Sequence, residues 1–349
     1  MTTVLIVDDS KSVRDYLEHL IGSDPELRII GKVDNGRQAL EFLGRQRPDV
    51  ITMDIQMPEM DGFETTRRIM ETDPVPIVII SSLWSPGEVV RTFQAMEAGA
   101  VSILQKPAGI GHPGHADSRE ELLKSIKQAA LAKVRRLRRL FRDDPRTAPS
   151  PSASNEAARN VQVVAMGAST GGPPAIQQLL AALPTDFPAP ILVVQHIASG
   201  FTSGFVDWLG GTIRLPVHLA GDGLPLLPGQ VYVAPEGTHL LVGFRSTARL
   251  SADPPEHAMR PAVSCLFRSV ARTCGRNGVG ILLTGMGRDG AAELKLIKDA
   301  GGITFAQDRA TSVIHGMPGE ALRLDACTHV LPPQDIAATL VSLAGATKP

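Results

Sequence analysis

The sequence predicts an α/β protein made of two doubly wound, mostly parallel-sheet domains in series. Three observations carry that reading. From Thr2 to about Arg119, short apolar runs of strand type alternate with stretches of helical periodicity, the pattern of a parallel sheet covered by helices on both faces. The stretch "DDPRTAPSPSASNEAARN" then breaks the pattern with Pro, Ser and Ala and no hydrophobic period. From Val161 the alternation resumes. A length of 349 residues suits two domains or three.

The strands of the first half are "TVLIV", "RIIGKV", "DVITMD", "PIVIISS" and "SILQK", with amphipathic helices such as "SVRDYLEHLI" and "GRQALEFLG" between them. A last helix is expected over Ser118–Phe141, running into the basic "KVRRLRRLFR". That run is either a dock for an acidic partner or, as for most charge runs, a solvated helix face. The Pro/Ser/Ala stretch has the composition of a flexible linker. The expected division is therefore 1–125, a linker over 126–159, and 160–349. The second half offers "VQVVAM", "ILVVQH", "GQVYVAP", "HLLVG", "GVGILLTGM", "GGITFAQ" and "HVLPP" as strands. An antiparallel hairpin is expected within Val231–Leu250, and helices over "SCLFRSVARTC" and "AAELKLIKDAG". No solenoid-type repeat is visible.

Composition excludes several classes of function. A formal net charge of −1 gives no global field for nucleic acid or an anionic membrane, and no basic recognition helix follows the linker. Three cysteines without CxxC spacing, Cys265, Cys274 and Cys327, argue against a disulfide framework or a zinc site. No apolar run reaches the roughly 18 residues that cross a bilayer, and the acids of "MTTVLIVDDS" come too early for a signal peptide. A soluble, cytoplasmic protein without direct membrane insertion is expected.

Strand ends in the first half carry acids. Asp8 and Asp9 follow the first strand and Asp54 the third, where an open parallel sheet binds ligands. Crowded carboxylates repel one another unless a cation joins them, and a hard divalent ion, most simply Mg²⁺, suits their oxygens. Ser81 and Lys106 end two further strands. Together these groups are what phosphoryl transfer to Asp54 needs. With "MDIQMPEMDG" around Asp54 and Lys106-Pro107, residues 2 to about 125 resemble a two-component receiver domain. The resemblance implies a flavodoxin-like fold, a histidine kinase as phosphodonor, and the Gln56 backbone carbonyl as a further Mg²⁺ ligand beside Asp8, Asp9 and Asp54. One departure is Ile103, three residues before the lysine, where receivers often carry an aromatic switch residue.

In the second half, "GASTGGPP" opens a helix after a strand. It lacks the lysine of a P-loop and the spacing of a dinucleotide fingerprint, but Gly167 to Gly171 spells G-x-S-x-G, a nucleophile elbow with Ser169 at its apex. A serine needs a base. His196 ends the strand expected next to it; His218, His239, His257 and His315 do not occupy such a place. Asp289, in the glycine-rich "LTGMGRDGA", can hold the imidazole in its tautomer, and an amide near Met286 can face an oxyanion. The chain order Ser, His, Asp differs from that of the α/β-hydrolases.

Together "GASTGG", "QHIASGF", "YVAPEGTHL", "RPAVSCLFRSVA", "LTGMGRDGA" and "TSVIHGMP" resemble the catalytic domain of the bacterial chemotaxis protein-glutamate methylesterases, the CheB family, over about residues 160 to 345. The resemblance implies Ser169 as nucleophile, His196 as base and Asp289 as its orienter, with Thr170 beside the nucleophile and the Met286 amide near the oxyanion. It implies hydrolysis of glutamyl methyl esters on methyl-accepting chemoreceptors, deamidation of receptor glutamines, and no cofactor for ester hydrolysis. Two departures, "HIASGF" for His-Met-Pro-Pro-Gly-Phe and Ser264 for the aspartate of Arg-Pro-Ser-Val-Asp, are expected to alter the mouth of the site. The linker suggests that an unphosphorylated receiver covers the catalytic face. The alternative is a catalytically silent response regulator that acts as a docking module, against which the intact Ser169, His196 and Asp289 stand.

Overall fold

The computed structural model describes residues 1–82, 86–136 and 159–345, with backbone alone for 86–91. The chain divides into two compact units, Met1–Asp144 and Pro145–Pro349. Most of the expected linker, and the basic run beyond Arg136, lie outside the described residues.

In the first unit the order is β1 (Thr2–Val7), α1 (Lys11–Gly22), β2 (Leu27–Val33), α2 (Gly36–Leu43), β3 (Val50–Met53) and α3 (Gly62–Thr72). Then follow β4 (Ile77–Ser81), α4 (Pro86–Glu97), β5 (Ser102–Gln105) and α5 (His115–Ala130). The five strands form one sheet, β2-β1-β3-β4-β5, parallel throughout. β3 and β4 are buried along their whole length, as a sheet covered on both faces requires. Helix starts have local causes. Asn35 accepts from the Gln38 N–H at the head of α2, and Asp61 from the Glu64 N–H at the head of α3, each satisfying a donor the helix leaves over. The last helix begins earlier and ends sooner than Ser118–Phe141. Its buried stripe, Leu122, Leu123, Ile126 and Ala129, runs out at the point where the helix stops, and residues 132–136 have no regular structure.

The second unit runs β6 (Val163–Ala168), α6 (Gly172–Ala181), β7 (Ile191–Gln195), α7 (Thr202–Thr212), β8 (Val217–Leu219) and β9 (Val231–Val233). A hairpin of β10 (His239–Val242) and β11 (Ala248–Ser251) leads to α8 (Val263–Cys274) and β12 (Gly278–Leu282). The chain closes with α9 (Ala291–Asp299), β13 (Ile303–Gln307), α10 (Met317–Arg323), β14 (His329–Leu331) and α11 (Pro333–Leu343). Seven strands pair in the order β14-β13-β12-β6-β7-β9-β8, all parallel. The expected hairpin is present but narrower. β10 and β11 pair antiparallel, His239 with Ser251, while Val231 belongs to the parallel sheet. β8 was not expected; three half-exposed edge residues give almost no alternation to read.

Strand order reverses at β6, which has β7 on one side and β12 on the other. Ligand crevices of open α/β sheets form at such a reversal. Across it lies α8, whose Val263, Leu266, Phe267, Val270 and Cys274 make one buried stripe. They share a core with Val163, Ala165, Leu282 and Leu294. Among the described residues no helix is long and apolar enough to cross a membrane.

One close approach ties fold to site in the first unit. A Cβ at Gly62, the first residue of α3, would stand 2.0 Å from the Asp54 carbonyl oxygen. Backbone cannot yield as a side chain can, so Gly62→Ala is expected to destabilise this unit by about 2 kcal/mol or more, measured by urea unfolding.

Candidate active site and acidic pocket

Three strand ends build the site of the second unit. In register, Leu282 of β12 lies beside Gly167 of β6, and Ala168 beside Gln195 of β7. The pairing continues past the strands: the Ser169 N–H donates to the Thr284 carbonyl at 3.0 Å and the His196 N–H to the Ala168 carbonyl at 2.9 Å. Ser169 is thereby held between the ends of β7 and β12. Its own turn closes when the Gly172 N–H donates to the Ser169 carbonyl at 2.8 Å. Gly171 takes φ 75° there, a left-handed conformation that glycine adopts without steric cost.

His196 and Asp289 meet directly. The His196 Nε2–H donates to Asp289 Oδ2 at 2.8 Å, and both side chains are buried. Oδ2 also accepts the Val263 N–H at 2.7 Å, and Oδ1 the Ser264 N–H at 2.9 Å. These are the first amides of α8, a natural seat for an anion. Burial alone pushes the Asp289 carboxyl up; His196 and the Ser264 N–H outweigh it, and the carboxyl lies below its ordinary range. With Nε2 engaged, Nδ1 is the ring nitrogen left for a proton from Ser169. Among the described residues the Ser169 hydroxyl and the imidazole are not hydrogen-bonded to each other, a looseness common before substrate arrives.

Met286 follows Gly285, at which a Cβ would come within 2.7 Å of the Ser169 Cβ. The turn bearing the Met286 amide therefore presses on the serine. Neither the Thr170 nor the Met286 N–H has an acceptor among the described residues, and the Thr170 carbonyl is tied down by the Thr284 hydroxyl at 3.0 Å. A cleft of about 150 Å³ opens beside His196, lined among others by Ile197, Glu236, Met259 and Arg260. Of the competing histidines, His239 is structural: its Nδ1 accepts the Ala262 N–H and its Nε2 donates to the Pro254 carbonyl.

In the first unit the acids converge as well. Val7 pairs with Met53, which puts Asp8 next to Asp54. Oxygens of Asp8, Asp9 and Asp54 lie within 4.8 Å of one another. Lys106 Nζ stands 2.9 Å from Asp8 Oδ2 and 3.1 Å from Asp54 Oδ2. Its backbone N–H donates to the Ser81 carbonyl at 2.9 Å, which brings β4 and β5 to the same edge. Burial first, and Asp8 after it, push the Asp54 carboxyl up to about 6 against the pull of Lys106. Gln56 is exposed two residues beyond Asp54. Three carboxylates with one lysine, two of them buried, form an oxygen donor set that fits Mg²⁺.

The sequence matches the family described as CheB methylesterase over residues 164–340 and that of the response regulator receiver domain over residues 4–112. A protein-glutamate methylesterase/protein-glutamine glutaminase of Geobacter metallireducens is 52% identical over 99% of both chains. One from Syntrophus aciditrophicus is 49% identical over 100% of both. The chain belongs to the CheB family. The crystal structure of the Thermotoga maritima CheB methylesterase catalytic domain is 34% identical, with a TM-score of 0.51, covering 53% of this chain and 100% of that one. The two-part α/β architecture is thus that of a receiver followed by a CheB catalytic domain. Receiver domains in general are phosphorylated with Mg²⁺ from a kinase, and methylesterases of this family have chemoreceptors as substrates.

Two features of this CheB-family site escape sequence reasoning. The Gln195 amide clamps the turn, donating to the Ser169 carbonyl at 2.9 Å and the His196 carbonyl at 2.7 Å; its place just before His196 was the only signal. Ser264 is not at the mouth. It is fully buried behind Asp289, its hydroxyl donating to Glu293 at 2.7 Å. Ile197, by contrast, does line the cleft.

The raised Asp54 carboxyl has a consequence for stability. Its folded pKa of about 6 exceeds the unfolded value of about 3.9, so ionising Asp54 in the fold costs free energy that grows as pH rises through this window. Without divalent ions, Asp54→Asn is expected to stabilise the receiver by about 1–2 kcal/mol at about pH 7.5 and by nothing below about pH 4. Urea unfolding at the two pH values checks it.

Proposed function

We propose that this chain is a phosphorylation-regulated protein-glutamate methylesterase and protein-glutamine glutaminase acting on chemoreceptors. The observation that carries this reading is the buried His196–Asp289 hydrogen bond at the strand end next to Ser169, in a chain of the CheB family. In the proposed reaction neutral His196 takes the Ser169 proton on Nδ1 as Oγ attacks the carbonyl carbon of a γ-glutamyl methyl ester. The Thr170 and Met286 amides receive the oxyanion, and Asp289 stabilises the imidazolium. His196 returns the proton to the departing methoxide and methanol leaves. Water, deprotonated by the same imidazole, then attacks the acyl-enzyme and releases glutamate and Ser169. With a glutamine side chain the first leaving group is ammonia. No step calls for a cofactor.

For regulation, Asp54 is the phosphoacceptor of a histidine kinase, with Lys106 offsetting charge and Ser81 positioned to bond a phosphoryl oxygen. Asp8, Asp9, Asp54 and the Gln56 carbonyl are the residues that would hold Mg²⁺, which when bound supplies positive charge between carboxylates and phosphoryl oxygens. The domains are read as a receiver over 1–125, a linker over 126–159 and a catalytic domain over 160–349. The setting is the cytoplasm, where receptor tails are reached without insertion into the membrane.

The test is methanol release from a methylated receptor fragment with Mg²⁺, with and without a small-molecule phosphodonor. Release that rises with the donor is expected. Ser169→Ala should lower the rate by at least about a thousandfold, and Asp289→Asn by about a hundredfold or more. A folded wild-type chain that releases nothing under either condition would return the docking module as the better reading.

A further inference from the structure

Behind the Asp289 turn lies a polar cluster that the reaction above does not use. It joins Glu256 in the loop before α8, Ser264 and Arg268 on α8, and Glu293 in the first turn of α9. Arg268 donates to both oxygens of Glu256, 2.8 Å each, a fork that is geometrically rigid. Its Nη2 also lies 3.3 Å from Glu293 Oε1. One guanidinium thus offsets two carboxylates beside a third, Asp289.

Ser264 stands where the cluster meets the site. Its hydroxyl donates to Glu293 Oε2 at 2.7 Å and accepts the Gly290 N–H at 3.0 Å. Its backbone N–H donates to Asp289 Oδ1 at 2.9 Å. A hydroxyl has one proton to give. With Glu293 as acceptor, that proton is withheld from Asp289 and a lone pair is aimed at the Gly290 amide.

We propose that Glu293 is a positioning residue for the His196–Asp289 pair: by taking the Ser264 proton it leaves Asp289 to His196 and fixes the Asp289–Gly290 turn. The inference rests on the reading of His196 as base and Asp289 as its partner. Without Glu293 the hydroxyl turns to Asp289, the added donor weakens the hold of that carboxylate on the imidazolium, and His196 becomes less basic. The other charged groups are constant across the variants. Glu236 and Arg260 share the cleft with His196; Arg268, Glu256 and the Cys265 thiol, which donates to Glu256, face the Asp289 side.

The experiment is an NMR titration of the His196 imidazole in the full chain, assigned with His196→Gln, beside the pH profile of kcat/KM for ester hydrolysis. Glu293→Ala is expected to lower the His196 midpoint by about half a pH unit or more, moving the acidic limb of the profile with it and leaving KM within about twofold. Loss of the Glu293 charge alone acts in the same direction, so the same substitution is repeated in a Ser264→Ala background, where the drop should shrink clearly. Glu293→Gln, which keeps an acceptor oxygen, should move the midpoint less and guards against a variant that fails to fold. A midpoint unmoved by Glu293→Ala, or lowered equally with and without the Ser264 hydroxyl, overturns the positioning role and leaves the esterase reading intact. The expected drop in a chain that releases no methanol upholds the positioning of the pair and overturns the esterase reading instead.

Discussion

Asp289 accepts three hydrogen bonds on two oxygens: Val263 N–H and His196 Nε2–H at Oδ2, and Ser264 N–H at Oδ1. Two of the donors are amides that α8 cannot satisfy within itself, and their partial positive charge favours a carboxylate at that spot. This contact couples the site to the core. Val263 donates to Asp289 from its backbone while its side chain fills the space above Gly167, where a Cβ would meet it at 2.3 Å. A shift of α8 would therefore move Asp289, and with it the imidazole that Asp289 holds. The geometry of Ser169, His196 and Asp289 is consequently a property of helix–sheet packing, and the loops that carry these residues inherit their positions from it.

The receiver solves a similar problem in the opposite sense. There too, carboxylates collect at the ends of adjacent parallel strands, but the amide that Asp54 accepts, Ile55 N–H, lies outside any helix. Lys106 is shared between Asp8 and Asp54 and does not compensate for burial, so Asp54 is left with its carboxyl at about 6. Asp289 is a carboxylate the fold stabilises as an anion; Asp54 is one it destabilises. The first suits a group whose charge must persist beside an imidazolium. The second suits a group whose charge is to be met by a cation and a phosphoryl group, the kind of local conflict that folds retain at functional sites.

Much of this was legible in the sequence because parallel sheets announce themselves as apolar runs and put their ligands at the runs' ends. The strand runs and the acids following them located Asp8, Asp9, Asp54, Lys106, Ser169, His196 and Asp289 at converging strand ends. Features set by partners distant in sequence were not legible. Ser264 was expected at the mouth because nothing local says that α8 begins against the Asp289 turn, 25 residues away. The Gln195 clamp depends on where two neighbouring carbonyls point. The helix expected to reach Phe141 stops at Ala130 since its charged continuation suits a helix as well as a coil until the buried stripe is seen to end. Edge strand β8 was too short to show a period.

Ile197, Ile103 and Ser264 accordingly divide by depth. Ile197 sits on the cleft wall, where a change of side chain alters what enters. Ile103 is buried in β5 beside Ile79, an apolar residue in an apolar layer with no polar tip to answer a change at Asp54. Ser264 is deeper still, and its hydroxyl matters through the proton it must place. A carboxylate there would only accept; the hydroxyl needs an acceptor of its own, and Glu293, 29 residues on, supplies it from the neighbouring helix. Glu293 is held in turn by Arg268, while the amides of α8 face Asp289. This arrangement keeps the polar groups around a buried carboxylate satisfied.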